Sequence, residues 1–241
     1  MQITNFIYSF FPFIRSGQVR EIWVAEQLKN IPENENILDA GAGECRYKKY
    51  CSHLKYTSQD FGEYDGKGDN VGLQTKHWDN SSLDIVSDII SIPVKDKSFN
   101  NILCTEVIEH ISKPDLAIKE FSRILKKGGR LVITAPFCSL THFAPFHFYT
   151  GFNIYWYKKI LEEYGFEIIE HFANGNYFDF ISQELLRMPL VIKKYSHISY
   201  LGYLLYLVTV PLVLILVLVS KFSKKSEQQL CFGYHILAKK I

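Results

Sequence analysis

Short apolar runs of strand length recur along this chain, separated by stretches with helical periodicity. Asn36–Ala40 (NILDA), Lys55–Asp60 (KYTSQD), Leu83–Asp88 (LDIVSD), Asn101–Thr105 (NILCT) and Arg130–Pro136 (RLVITAP) read as strands. Residues 17–30 place Val19, Ile22, Trp23 and Glu26 at helical spacing, and Pro32 ends that segment. A second helix is expected from Ser112, which can cap, with Pro114 in the first turn and Asp115 three residues after the serine. Leu116, Ile118, Phe121, Ile124 and Leu125 give it a core face, and Gly128-Gly129 should stop it. Thr150–Tyr164 predicts a third helix, and Phe166–Phe172 and Cys231–Lys240 the closing strands. Strands alternating with helices argue for a mostly parallel sheet in an α/β fold.

One segment breaks the pattern. Ile198–Ser220 runs 23 residues without a charge, 18 of them apolar, and lies between the last two strands in an insert too long for an ordinary connection. Tyr200, Tyr203 and Tyr206 gather at one end, as at a membrane interface, with Lys193 and Lys194 before the segment and Lys221, Lys224 and Lys225 after it. If the last strand joins the same sheet as Phe166–Phe172, both ends of the insert lie on one side of a membrane, which a single span cannot achieve. Pro211 would let the segment break into two halves, so a re-entrant or surface-lying helical hairpin is expected, its lysines on anionic headgroups. A helix pair buried in a homo-oligomer and a true span are the alternatives. The expected division is a folded domain from 1–175 and 229–241, and a membrane-associated helical insert from 176–228.

Over 241 residues, Lys+Arg 27 against Asp+Glu 25 leaves too little charge for a nucleic-acid binder. Cys45, Cys51, Cys104, Cys138 and Cys231 are scattered without a C-x-x-C, which reads as reduced cytoplasmic thiols. The apolar run Phe6–Ile14 has no basic residue before it and no small-residue cleavage pattern, which argues against a signal peptide.

The chemistry concentrates where the first strand meets a turn, Asp39-Ala40-Gly41-Ala42-Gly43. Glycines there let backbone N–H groups approach a ligand. Asp60 follows Gly41 by nineteen residues, where a carboxylate can accept from both ribose hydroxyls. The pair indicates a nucleoside-containing ligand. A dinucleotide fingerprint would need a third glycine where Arg46 stands, which disfavours a nicotinamide dehydrogenase.

These residues resemble the class I S-adenosylmethionine-dependent methyltransferases of the small-molecule type, with the opening ILDAGAGE. The resemblance spans residues 36–137 in order and spacing, taking in SDIISIPVKDKSFN, NNILCTEVIEHI and ILKKGGRLVITAP. It implies a Rossmann-like, seven-stranded, mostly parallel sheet with helices on both faces and a C-terminal antiparallel hairpin, interrupted here by the insert. It also implies S-adenosyl-L-methionine as cofactor: Asp39, Gly41, Gly43 and Glu106 at the methionine end, Asp60 at the ribose, Asp88 and backbone at Ile89 at the adenine. Where the family often carries a third glycine, this chain has Cys45.

For the transferred methyl, His110, His142 and His147 are candidate bases, with Glu106 and Glu109 beside them. His142 and His147 form an H-x4-H on one loop with no carboxylate or cysteine next to them in sequence, so no metal is expected. That loop belongs to a charge-free, aromatic stretch from Leu131 to Tyr157, which suits an apolar or lipid-linked acceptor. The expected activity is O-methylation of a lipid, quinone or glycan precursor by a cytoplasmic protein held at a membrane surface. A non-catalytic, membrane-docked scaffold of the same fold is the alternative.

Overall fold

A computed structural model describes residues 16–241, so the Phe6–Ile14 run lies outside the described residues. Helix α1 (Ser16–Lys29) precedes strand β1 (Asn36–Ala40), followed by β2 (Lys55–Asp60), β3 (Ile85–Val86) and β4 (Phe99–Thr105). Then come α2 (Pro114–Ile124), β5 (Leu125–Pro136), α3 (Ile154–Glu163) and β6 (Phe166–Asn174). Helices α4 (Tyr177–Tyr195) and α5 (Ser199–Phe222) separate β6 from β7 (Gly233–Lys240).

The sheet runs β3-β2-β1-β4-β5-β7-β6. The pairs from β3 through β5 are parallel, and β7 runs antiparallel to β5, with Ile133 opposite Ile236. Strand order reverses beside β1, which places a ligand crevice at the carboxyl ends of β1 and β4. Ile37, Leu103 and Val132 pack on one face against Trp23, Val24 and Leu28 of α1. Their neighbours Leu38, Ile102, Leu131 and Ile133 point the opposite way and are also fully buried, so both faces are covered.

Several boundaries differ from the sequence expectation for local reasons. Ser112 caps nothing: α2 begins at Pro114 with no side-chain cap, the proline already filling the first helical position. The helix ends at Ile124, because Leu125 pairs with Phe99 before a register shift restores Asn101 opposite Arg130. Helix α3 starts later than Thr150, where the Asn153 side chain accepts from the N–H groups of Tyr155 and Trp156. Ile22 and Glu26 of α1 face solvent, and Trp23, Val24 and Leu28 make its buried side.

The chain forms two compact units. One is Arg20–Phe172 with Gly233–Ile241; the other contains Ala173–Phe232. In the second, Asn176 caps α4 with a full capping box to Asp179. Helix α5 is continuous, with Pro211 inside it, and the hairpin is made by α4 and α5 instead of by a break at the proline. An interior proline costs about 3 kcal/mol, and packing of α5 on α4 compensates. Leu186, Val213 and Phe232 form a small core, and a Cβ on Gly202 would lie 2.7 Å from the Pro189 carbonyl, so the helices approach closely there. Ser220 Oγ donates to Asp179 at 2.7 Å, and the ends of the insert meet where Phe232 N–H donates to the Asn174 carbonyl at 2.9 Å. Helix α5 is long and apolar enough to cross a membrane by length and composition.

Candidate active site

A cavity of about 810 Å³ opens at the carboxyl ends of β1, β2 and β4. Gly41 and Gly43 form its floor at φ +75° and +50°, a left-handed conformation glycine adopts without steric cost. A Cβ at Gly41 would overlap the Val107 side chain, and one at Gly43 would overlap the Trp78 ring. Cys45 follows at φ +55°, so the backbone keeps the conformation a glycine would favour. Cys45 is not among the lining residues.

Asp60 joins the two turns at the strand ends. Its carboxylate accepts from Gly43 N–H and Gly62 N–H at 3.0 Å each, and it lines the cavity. Burial raises its pKa against those bonds. Asp88 and Ile89 line the same wall, Asp88 exposed and accepting from Ile90 N–H at 3.1 Å. Asp39 lies elsewhere. It is buried beneath the sheet end, outside the lining, and accepts from the Tyr56 hydroxyl at 2.6 Å. Burial pushes its carboxyl up to about 7, the nearby Asp60 charge adding to the effect and the Tyr56 bond opposing it.

Glu106 leaves β4 at φ +54°, strained for a side-chain-bearing residue. Three contacts hold it there: its N–H to the Thr134 carbonyl, the Thr134 hydroxyl to Oε1 at 3.0 Å, and Arg20 on Oε2 at 2.6 Å. Arg20 lines the cavity from α1, which helical spacing marked only as a core element.

The opposite wall is aromatic. Phe143 stacks on Tyr64 at 4.5 Å between ring centroids and meets Trp78 at 5.3 Å, while Phe61 meets Phe146 edge-on at 4.9 Å. Residues 62–80, a Gly-, Asp- and Asn-rich stretch, therefore supply two of these rings. Main-chain bonds tie this segment to the 137–150 loop: Leu73 N–H to the Thr141 carbonyl and Phe143 N–H to that of Leu73. The signal was faint, two aromatics inside a polar stretch.

The three histidines come together here. Ring centroids lie 4.7 Å apart for His110 and His142, and 4.6 Å for His142 and His147. His110 lines the cavity; His142 and His147 stand behind it. Burial lowers the His110 pKa to about 3, with His142 adding to the effect, so its ring is neutral at physiological pH. The fold also brings Glu109 to this group, although the loop sequence around His142 offered no carboxylate. Glu109 is fully buried, and burial, followed by the Glu106 charge, raises its pKa well above the usual range.

Residues 38–133 match a family model described as a methyltransferase domain. Among solved structures, a SAM-dependent methyltransferase from Archaeoglobus fulgidus is 16% identical, with a TM-score of 0.54 over 93% of this chain and 92% of that one. A candidate methyltransferase from Bacillus halodurans C-125 is 17% identical, with a TM-score of 0.53 over 92% and 99%. The 4+2 cyclase SpnF shares the fold as well, at 16% identity and a TM-score of 0.52 over 92% and 80%. At these identities the structural likeness is one of fold. Residues 38–133 thus match a methyltransferase-domain model, and the likeness to the solved structures is that of the class I methyltransferase fold.

Proposed function

We propose that this chain O-methylates an apolar or lipid-linked acceptor at a membrane surface. The observation that carries the reading is the two-ended cavity: one end has the bare glycine backbone and Asp60, the other an aromatic wall with His110. The first end fits the cofactor. Gly41 and Gly43 are packed so closely on the lining residues Val107 and Trp78 that neither leaves room for a Cβ, and Asp60 is already fixed by two backbone donors. In this reading Asp60 holds the ribose, Asp88 and the Ile89 backbone hold the adenine, and Gly41, Gly43, Glu106 and Arg20 face the methionine end. Asp39 acts through the turn, since its carboxyl is bonded to Tyr56. When bound, S-adenosylmethionine supplies a sulfonium-activated methyl group, whose transfer to an acceptor oxygen leaves the C–S electron pair on sulfur and releases the acceptor's proton.

The aromatic end orients the acceptor and excludes water, which is where an in-line displacement gains most. A histidine of the cluster takes the proton. The membrane part of the proposal rests on α5, where Leu207, Val208, Leu218 and Phe222 are 74%, 64%, 58% and 82% exposed. The insert's ends emerge side by side, and α4 carries Asp179, Glu184 and Arg187, which favours a hairpin resting in the interface over a single crossing. A fold shared with a cyclase does not by itself dictate methyl transfer.

Isothermal titration with S-adenosylhomocysteine tests the cofactor end. Micromolar affinity in the full chain, reduced at least tenfold in Asp60→Ala, is the expected result. No affinity, or an unchanged one in the variant, would remove the basis of the reading.

A further inference from the structure

The histidine cluster holds a combination of groups that proton transfer alone does not explain. Glu109 is fully buried, and neither carboxylate oxygen has a hydrogen-bond partner. Its nearest ionisable neighbour in the cluster is His110, whose Nε2 stands 3.8 Å from Oε1 and is itself buried and unbonded. An unpaired buried carboxyl costs several kcal/mol, on the order of what a bound cation would return.

The imidazole tautomers are fixed by their other nitrogens. His110 Nδ1 lies 2.5 Å from the Phe146 carbonyl, and His142 Nδ1 lies 2.8 Å from the Leu140 carbonyl. A carbonyl can only accept, so both Nδ1 atoms carry the hydrogen and both Nε2 atoms present a lone pair. Metal-ligating histidines are commonly oriented by such a backbone bond on the far nitrogen. The ligand atoms of Glu109, His110 and His142 lie within 4.8 Å of one another. Tetrahedral zinc, with bonds of about 2.0–2.1 Å, sets its ligands roughly 3.4 Å apart. Closing the set takes a contraction of up to about 1.4 Å, by side-chain adjustment of His142 on a loop whose backbone is bridged to Leu73.

We propose that Glu109, His110 and His142 bind one divalent transition-metal ion of the zinc class, with an open coordination position toward the acceptor end of the cavity. Two imidazoles and one carboxylate suit borderline ions better than magnesium or calcium, which prefer oxygen. His110 borders the cavity beside Phe143 and Phe146, so the open position falls where the methyl-transfer reading puts the acceptor. The metal would then polarise the acceptor oxygen, leaving His147, whose Nε2 lies 3.2 Å from Ser139 Oγ, as the imidazole outside the metal set. That use of the metal rests on the proposed function; the binding site does not.

The test is zinc titration of the full chain after dialysis against a chelator, with bound zinc measured by elemental analysis. About one zinc per chain at micromolar or tighter affinity is expected, weakened at least tenfold in both His142→Ala and Glu109→Gln. His142 is partly exposed, and Glu109→Gln removes a buried acid without changing its shape, so both variants should keep the wild-type circular dichroism. His171→Ala, an exposed histidine on β6, should bind as wild type. No zinc uptake, or uptake unaffected by His142→Ala, would overturn the proposal. S-adenosylhomocysteine binding, measured on the same samples, separates the two readings: a chain that binds the nucleoside but no zinc refutes the metal site alone.

Discussion

The two units of this protein use the same apolar residues in opposite ways. In the sheet unit Ile37, Leu38, Ile102, Leu103 and Ile133 are fully buried, and polar groups at the strand ends face one cavity. In the hairpin unit Leu207, Val208, Leu218 and Phe222 point outward, and Leu186, Val213 and Phe232 form a small core. The sheet satisfies its hydrophobic surface internally and spends its irregular backbone on a site. The hairpin leaves a large apolar surface that water does not satisfy, and membrane or a second chain would complete it.

The sharpest way to break this contrast is to make α5 polar. Full burial of a leucine or valine contributes about 1.5–3 kcal/mol. Changing Leu207, Val208 and Leu218 together to serine should therefore weaken membrane partition by roughly a thousandfold. Vesicle co-sedimentation would show the shift from pellet to supernatant, with S-adenosylhomocysteine affinity unchanged. An unchanged pellet fraction would assign the apolar face to something other than lipid.

On the sheet side, Gly41→Ala places a Cβ against Val107 at a φ of +75°. Cofactor affinity should fall at least a hundredfold by titration, while helix and sheet content in circular dichroism stay native. The hairpin should still bring this variant to vesicles.

Asp39 gives a smaller, pH-dependent effect. Burial holds its carboxyl up at about 7, above the ordinary 3.8, so between these pH values the folded chain keeps a proton that the unfolded chain has released. Stability contributed by this group therefore falls as pH rises through that window and levels off above it. Asp39→Asn keeps an acceptor for the Tyr56 hydroxyl and removes the fall. Denaturant unfolding at pH 8 should show a gain of about 2 kcal/mol, part of the full shift being lost to burying an amide. Near pH 4 the gain should vanish.

The smallest effect belongs to Cys45. Its left-handed backbone, φ +55°, carries a strain that glycine would relieve. Cys45→Gly should change the midpoint of denaturant unfolding by no more than about 1 kcal/mol, because added unfolded-state entropy opposes the relief. Cofactor affinity should hold, as Cys45 does not line the cavity.

How legible each region was follows from how local its physics is. The β1 and β2 boundaries and the Gly41–Asp60 spacing could be read directly, because strand patterning and turn chemistry act over a few residues. The aromatic wall could not: Tyr64 and Trp78 meet Phe143 only through pairing of two loops about 70 residues apart in sequence. The meeting of Glu109 with His142 could not be read for a similar reason, since it depends on β4 and β5 lying side by side. In the hairpin, composition identified the apolar segment, but the proline suggested a break that helix packing overrides.

The central claim, a methyltransferase site served by a membrane-resting hairpin, is tested most directly by following labelled methyl from S-adenosylmethionine into a membrane extract. Incubation with the full chain should put label into the organic phase as products heavier by one methylene unit, and Asp60→Ala should abolish it. Label that stays in the aqueous phase, or transfer that persists undiminished in Asp60→Ala, would contradict the account.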